Sequence, residues 1–353
     1  MKQTAELTDL TVCRSVFAAW VFIYHVDLYL NVSGALGPAA DLVRHGYLGV
    51  DGFFILSGLI LGRVYTPPPK SLRDRLIFWG RRLARLYPVH LATLLLLGVL
   101  VVAGRHAGLA AHDPERFSSL SLAENLVLIQ GWGVAPIGQW NYPSWSISSE
   151  WAGYLVFPLL AGMFAYFEAL VAGQFIIIGF VVLGLIAYLH GYSLNLAFSG
   201  GLLRFFPEFI IGVASARTVP RVADNTPKLW FVSVGAALAV ICAAVGADFG
   251  AVLGMWLVLY TLTMQADAEL PPMLRGTGWL RAFGLLSYSF YMSFAVIELI
   301  LSRLLATPSD HKLTFALGML AGTFALALVL YFAVERPARR LIDGWLDALR
   351  PHG

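Results

Sequence analysis

Residues 11–30 read TVCRSVFAAWVFIYHVDLYL. A helix crossing a hydrocarbon core needs about 20 mostly apolar residues, and this run supplies them. It nevertheless carries Arg14, His25 and Asp27. Ionisable groups are costly at that depth and face a bundle interior or a wet cavity, so each marks a candidate functional position. Lys2 and Arg14 ahead of an apolar stretch resemble the start of a signal peptide. His25 and Asp27 suit neither its apolar region nor its cleavage site, and the segment reads as a retained anchor.

The same pattern recurs along the chain. Of 353 residues, 58% are hydrophobic and 13% charged, against roughly 45–50% and about 25% in soluble domains. The mean hydropathy is +0.73. These values exclude a water-soluble enzyme and a disordered chain. The runs are long and continuous, unlike the alternating segments of about ten residues in a transmembrane barrel. They predict an all-α polytopic membrane bundle, one domain over 1–353. Ten spans are expected, at 11–30, 46–65, 87–104, 149–167, 169–190, 202–218, 229–247, 249–265, 280–302 and 312–334. Segment 122–132 is apolar but short, and reads as re-entrant or interfacial. The outer segment 105–148 is the one sizeable loop, punctuated by Gly131, Gly133, Pro136, Gly138 and Pro143.

Lys70, Arg73, Arg75, Arg81, Arg82 and Arg85 form the densest basic cluster, which the positive-inside rule assigns to the cytoplasm. Ten spans then leave both termini inside. Of the 24 Lys and Arg, 18 fall on the inside and 6 outside: Arg44, Arg105, Arg116, Arg204, Arg303 and Lys312. The expected location is the bacterial inner membrane, with the lipid bilayer as a partner. The net charge is only +3 and its cations are spread through loops, which argues against nucleic acid. Two cysteines, Cys13 and Cys242, are too few for a cysteine metal site and read as small buried side chains.

Arg14 and His25 lie eleven residues apart, about three turns, so they share a face roughly 16 Å apart along the axis. A long ligand lying on this helix would touch both; the plainer alternative is a snorkelling flank residue and a packed imidazole. Asp51, Glu150, Glu208 and Glu298 are the other acidic groups inside spans. Residues 49–62 read GVDGFFILSGLILG, where Gly58 and Gly62 allow close helix approach and Ser57 offers a hydroxyl. In the basic amphipathic stretch 71–90, Arg82 and Arg85 are helix neighbours whose guanidinium forks suit either anionic lipid or a polyphosphate. Residues 139–151 read QWNYPSWSISSEW. With Trp132 just upstream, Trp140, Tyr142, Trp145 and Trp151 form either an aromatic belt or a stacking surface for sugar rings. Glu150 stands at the mouth of the fourth span, where a carboxylate suits a hydroxyl or the orientation of His25.

Together these segments resemble the membrane acyltransferase 3 family over about residues 9–340. Arg14 to His25 matches its R-x10-H motif, Phe53–Gly58 its FFxxSG motif, and Arg82–Arg85 with Tyr87-Pro88 its RxxR segment. Trp145–Glu150 resembles W-S-L-x-x-E, Ser287–Tyr291 resembles S-Y-S-x-Y, and Val334–Pro337 matches V-E-R-P. One departure stands out: Met292-Ser293-Phe294 replaces a segment that often holds Trp-His. The resemblance implies transfer of an acyl group, usually acetyl, from cytoplasmic acyl-CoA to a hydroxyl of a glycan or other acceptor. Acyl-CoA enters as donor substrate, with no permanently bound cofactor. Lacking a fused outer hydrolase-like domain, the chain is similar to standalone members that modify exopolysaccharide, lipid-linked sugars or small molecules, and polysaccharide biosynthesis proteins are possible partners.

On this reading His25 is the general base, kept neutral by burial. Glu150 orients it, with Asp27 a weaker orienter or acceptor contact. Arg82 and Arg85 bind the coenzyme A phosphates and Arg14 guides the pantetheine arm. Ser57 either donates to the thioester carbonyl or packs. Trp140, Tyr142, Trp145, Tyr288 and Tyr291 contact the acceptor. Direct transfer and an acyl-enzyme route are both open, and the absence of a reactive cysteine motif favours the former. The rivals are a transporter, for which no inverted repeat is found, and a non-catalytic component of polysaccharide export.

Overall fold

The computed structural model describes residues 8–31, 33–108, 115–134, 138–218, 229–267, 274, 277–305 and 311–348. Among them the chain is α-helical and contains no strand. The helices are α1 (Thr8–Leu30), α2 (Ala40–Arg44), α3 (Gly49–Val64), α4 (Leu72–His106), α5 (Ser119–Leu126), α6 (Trp145–Ala165) and α7 (Ala169–Leu189). They continue as α8 (Gly201–Thr218), α9 (Leu229–Ala244), α10 (Asp248–Asp267), α11 (Gly278–Leu304), α12 (Lys312–Leu330) and α13 (Arg336–Ala348). Each of the ten expected spans overlaps one of these helices, and several, among them 229–247 and 312–334, run past its end. Among the described residues six segments are long and apolar enough to cross a membrane: Thr8–Leu30, Gly46–Val64, Leu72–His106, Ala169–Leu189, Gly278–Leu304 and Lys312–Ala348; Leu229–Ala244 and Asp248–Met264 are shorter apolar helices.

The burial of α7 shows why the chain is a membrane protein. Ala172, Ile176, Gly179, Phe180, Leu183 and Ala187 form one buried stripe at helical spacing. The opposite face is equally apolar and exposed, with Ile177, Val181 and Leu185 open by more than half. A helix apolar all round faces lipid on its outer side.

The chain divides into two compact units. The first comprises Met1–Pro68, Leu159–Leu196 and Leu203–Ser287; the second comprises Pro69–Pro158, Ala197–Leu202 and Tyr288–Gly353. In the first unit, α3 and α8 meet backbone to backbone. A Cβ at Gly58 would stand 2.1 Å from the Phe209 carbonyl oxygen, and one at Gly212 2.1 Å from that of Ile55. The glycine of the FFxxSG segment is therefore required by close helix approach. The N-terminal half of α11 seats on α1 in the same way, since a Cβ at Gly284 would lie 2.0 Å from Thr11 O.

In the second unit, the amphipathic stretch 71–90 and the third expected span fuse into one 35-residue helix, α4. Ser71 caps it through a reciprocal capping box with Asp74. Pro88 sits inside the helix without ending it, as packing against neighbours permits. Phe78 stacks on Phe157 of α6 at 5.1 Å, and Trp79 Nε1 donates to Tyr154 O at 2.9 Å. At the chain's end, a π-helical turn over Tyr331–Glu335 joins α12 to α13. Leu346 of α13 covers Gly80 of α4, and Arg81 pairs with Asp347. The expected outer loop also contains structure: Ser118 caps α5 by accepting from Ser121 N at 3.2 Å. Pro136 of that loop lies outside the described residues.

Candidate active site

Two groups of chemistry-bearing side chains stand out, one in each unit. In the first, α1 carries Arg14 and His25, both partly buried. His25 Nδ1 lies 2.8 Å from Val21 O, one turn earlier. A carbonyl only accepts, so Nδ1 carries the proton and Nε2 the lone pair. Burial withholds water from the charged imidazolium. The ring also meets Tyr24 edge-on at 5.0 Å, and Tyr24 meets Tyr47 at 5.5 Å. Arg14 reaches the first serine of the S-Y-S-x-Y segment: Nε and Nη2 donate to Ser287 Oγ at 3.3 and 3.2 Å. That hydroxyl donates on to Gly284 O at 2.8 Å. Ser15 donates to Leu280 O one turn further along the same contact.

The first unit also contains a buried charge cluster. Arg204 Nε donates to Asp51 Oδ1 at 2.8 Å, and Nη2 donates to Tyr47 O at 3.0 Å and to the second Asp51 oxygen. Glu208 lies 4.0 Å from the same guanidinium, and all three side chains are essentially inaccessible. One cation facing two carboxylates explains why Asp51 and Glu208 are tolerated inside spans. Arg204, counted among the outer cations, belongs to this interior cluster. Nearby, Tyr47 Oη donates to Asp248 Oδ2 at 2.6 Å, and Asp248 also accepts from Leu194 N at 2.7 Å.

In the second unit, four motifs converge. Arg85 interacts electrostatically with Glu150, Glu335, Tyr154 and Tyr288. Arg82 lies over the Tyr154 ring at 5.8 Å. Tyr154 Oη donates to Glu150 Oε1 at 2.6 Å, and Ser289 Oγ donates to Glu335 Oε2 at 2.5 Å. Tyr288 donates to Leu86 O. Tyr291 Oη donates to Pro143 O at 2.9 Å and accepts from Ser146 Oγ at 3.0 Å. The RxxR, W-S-I-S-S-E, S-Y-S-F-Y and V-E-R-P segments thus form one hydrogen-bonded cluster whose charges influence one another. Arg339 of α13 feels the charges of Arg82 and Arg85, a third arginine that the motifs do not contain.

The profile of the acyltransferase 3 family, described as an acyltransferase domain, matches residues 7–332. The chain belongs to the acyltransferase 3 family. Among curated proteins it is similar to acyltransferase MdmB of Streptomyces mycarofaciens, with 34% identity over 164 residues. That match covers 44% of this chain and 40% of the relative, so the chain spans well under half of that protein's length. No solved structure matches.

In this acyltransferase 3 chain, His25 is held by the Val21 carbonyl of its own helix. Glu150 accepts from Tyr154 Oη at 2.6 Å. Asp27 is buried and accepts from Ser33 N at 2.7 Å, so its carboxylate shapes the turn that follows α1. Trp140 and Trp145 are 7% and 8% exposed. Trp140 packs with Leu94, Leu97, Phe117 and Val296, and Trp145 packs against Phe198 and Gly201. Tyr288 and Tyr291 are likewise buried and tied into the cluster. Tyr142 and Trp132 stay partly open, and the Arg116 guanidinium lies 5.2 Å over the Tyr142 ring. Ser57 is partly buried beside the α3–α8 contact. His90 was not singled out by the sequence. It is fully buried two residues beyond Pro88, with Nε2 at 2.8 Å from Asn125 O.

Proposed function

We propose that this chain is an integral membrane O-acyltransferase. It moves an acyl group, acetyl first among the possibilities, from cytoplasmic acyl-CoA to a hydroxyl of an exported glycan or lipid-linked sugar. It works as a multi-pass protein of the bacterial inner membrane with both termini inside, alongside polysaccharide biosynthesis proteins. The observation that carries this reading is the His25 Nδ1 to Val21 O bond at 2.8 Å in a member of an acyltransferase family. It presents Nε2 as a base inside an apolar helix bundle.

The acceptor hydroxyl gives its proton to His25 Nε2 as its oxygen attacks the thioester carbonyl carbon. The C–O bond forms, and the carbonyl electrons move onto oxygen. Their return expels the coenzyme A sulfur as the C–S bond breaks. The imidazolium proton passes to that sulfur, so acyl ester and free thiol leave and His25 is neutral again. Ser57 donates to the oxyanion. Arg14, held by Ser287, directs the pantetheine arm. Arg82 and Arg339 take the phosphates of the donor. Arg85, flanked by Glu150 and Glu335, joins Arg82 and Arg339 in holding the phosphates and keeps the arginine group ordered. Tyr142 contacts the acceptor. Incubating membranes containing the protein with labelled acetyl-CoA and a panel of glycans tests the proposal. Label transfer with release of one thiol per ester supports it. Uptake of an acceptor without thiol release would favour a transporter.

A further inference from the structure

Basic residues are disfavoured on the outer side of a membrane protein, so the five arginines among the six cations assigned there on the proposed topology call for an explanation. Three have partners of their own. Arg44 pairs with Asp41 at 3.3 Å, Arg204 with Asp51, and Arg116 donates to Trp140 O at 3.1 and 2.9 Å. Arg105 and Arg303 have no acidic partner among the described residues. Both nevertheless line one cavity of about 310 Å³ in the second unit. Its walls include Leu100, Val101, Phe117 and Ile300. Arg105 closes α4 and Arg303 lies in the last turn of α11. The helix dipole favours a cation at each C-terminus singly. It does not account for two of them converging on the same apolar cavity.

We infer that this cavity binds an acidic phospholipid of the bilayer, with an acyl chain against the apolar walls and the headgroup phosphate between the two guanidiniums. Paired guanidiniums match phosphate oxygens in charge and geometry, and basic pockets between membrane helices select acidic headgroups. The volume suits part of one chain, within the lower range of ligand pockets. None of the cavity's lining residues is among the proposed acyl-transfer residues, and the inference does not depend on that chemistry.

Native mass spectrometry of the full-length protein in mild detergent tests it. The probes are dioleoyl phosphatidylglycerol, dioleoyl phosphatidylcholine and glycerol 3-phosphate. Phosphatidylglycerol is expected to be retained about tenfold better than phosphatidylcholine, and Arg105→Gln with Arg303→Gln to bring that ratio to about one. Ala103→Trp fills the cavity while leaving both charges, and is expected to expel the bound lipid without lowering the unfolding temperature. Equal retention of the two lipids would overturn the inference. So would an undiminished preference in the double variant, a lipid still held by Ala103→Trp, or displacement of phosphatidylglycerol by equimolar glycerol 3-phosphate.

Discussion

Arg14 donates to the hydroxyl of Ser287 through both Nε and Nη2, at 3.3 and 3.2 Å, across 273 positions of sequence. Two motifs that are far apart in the chain thereby become one contact. The helix that carries His25 is fixed in register against the first half of α11. Ser287 ends the first unit, and the next residue, Tyr288, opens the last stretch of the second. The S-Y-S-F-Y segment therefore contributes to both groups of functional side chains.

Ser287→Ala removes the acceptor of a charge-assisted hydrogen bond, an interaction worth about 1.5–3 kcal/mol. Turnover is expected to fall about tenfold or more, while Ser287→Thr, which keeps the hydroxyl, retains most of it. Steady-state assays of the purified variants check this. Equal loss in both would mean that the site responds to packing rather than to the hydrogen bond.

Arg204→Met leaves Asp51 and Glu208 facing each other without their cation. Breaking a buried pair in this way destabilises by about 3–5 kcal/mol. The variant is expected to unfold at a clearly lower temperature, and Asp51→Leu combined with Arg204→Met to recover part of the loss. Thermal unfolding in detergent measures it. An unshifted midpoint for the single variant would show that the cluster contributes nothing to the fold.

Gly58→Leu drives a side chain into the Phe209 carbonyl, which its Cβ alone would approach to 2.1 Å. Overpacking costs of about 1–3 kcal/mol are typical of well-packed interiors, and a backbone obstacle belongs at the upper end. Folded protein recovered from membranes should drop sharply for Gly58→Leu and less for Gly58→Ala.

Much of this architecture is readable in the chain because apolar runs of span length have few other uses. Each expected span overlaps a helix, and Gly58 and Gly62 do mark a close helix contact. The start of α4 is harder to read. The charges of 71–90 and Pro88 suggest a separate surface segment, whereas packing on α6 and α13 carries one helix through both. The pairing of Asp51 with Arg204 spans 153 positions and leaves no local signal, so each looks like an isolated functional charge. Tryptophan is hard to read for a different reason: an indole suits a membrane interface, a ligand surface and a core alike, and burial is what distinguishes Trp140 and Trp145 from Tyr142. Arg339 lies beyond the last motif, and it joins the arginine group only because α13 folds back on α4.

If Arg82 and Arg339 bind donor phosphates, Arg339→Gln and Arg82→Gln should each raise the Michaelis constant for acetyl-CoA about tenfold while changing turnover by less than about threefold. Initial rates over a donor titration separate the two parameters. A loss confined to turnover would move these arginines from donor binding to the chemical step.

The most direct test is the turnover of purified His25→Ala and His25→Gln with labelled acetyl-CoA and an acceptor that the wild-type protein uses. Removing a general base slows proton transfer by about 10²–10⁴-fold, so both variants should lose measurable transfer while keeping the wild-type unfolding temperature. Wild-type turnover in either variant would contradict the account.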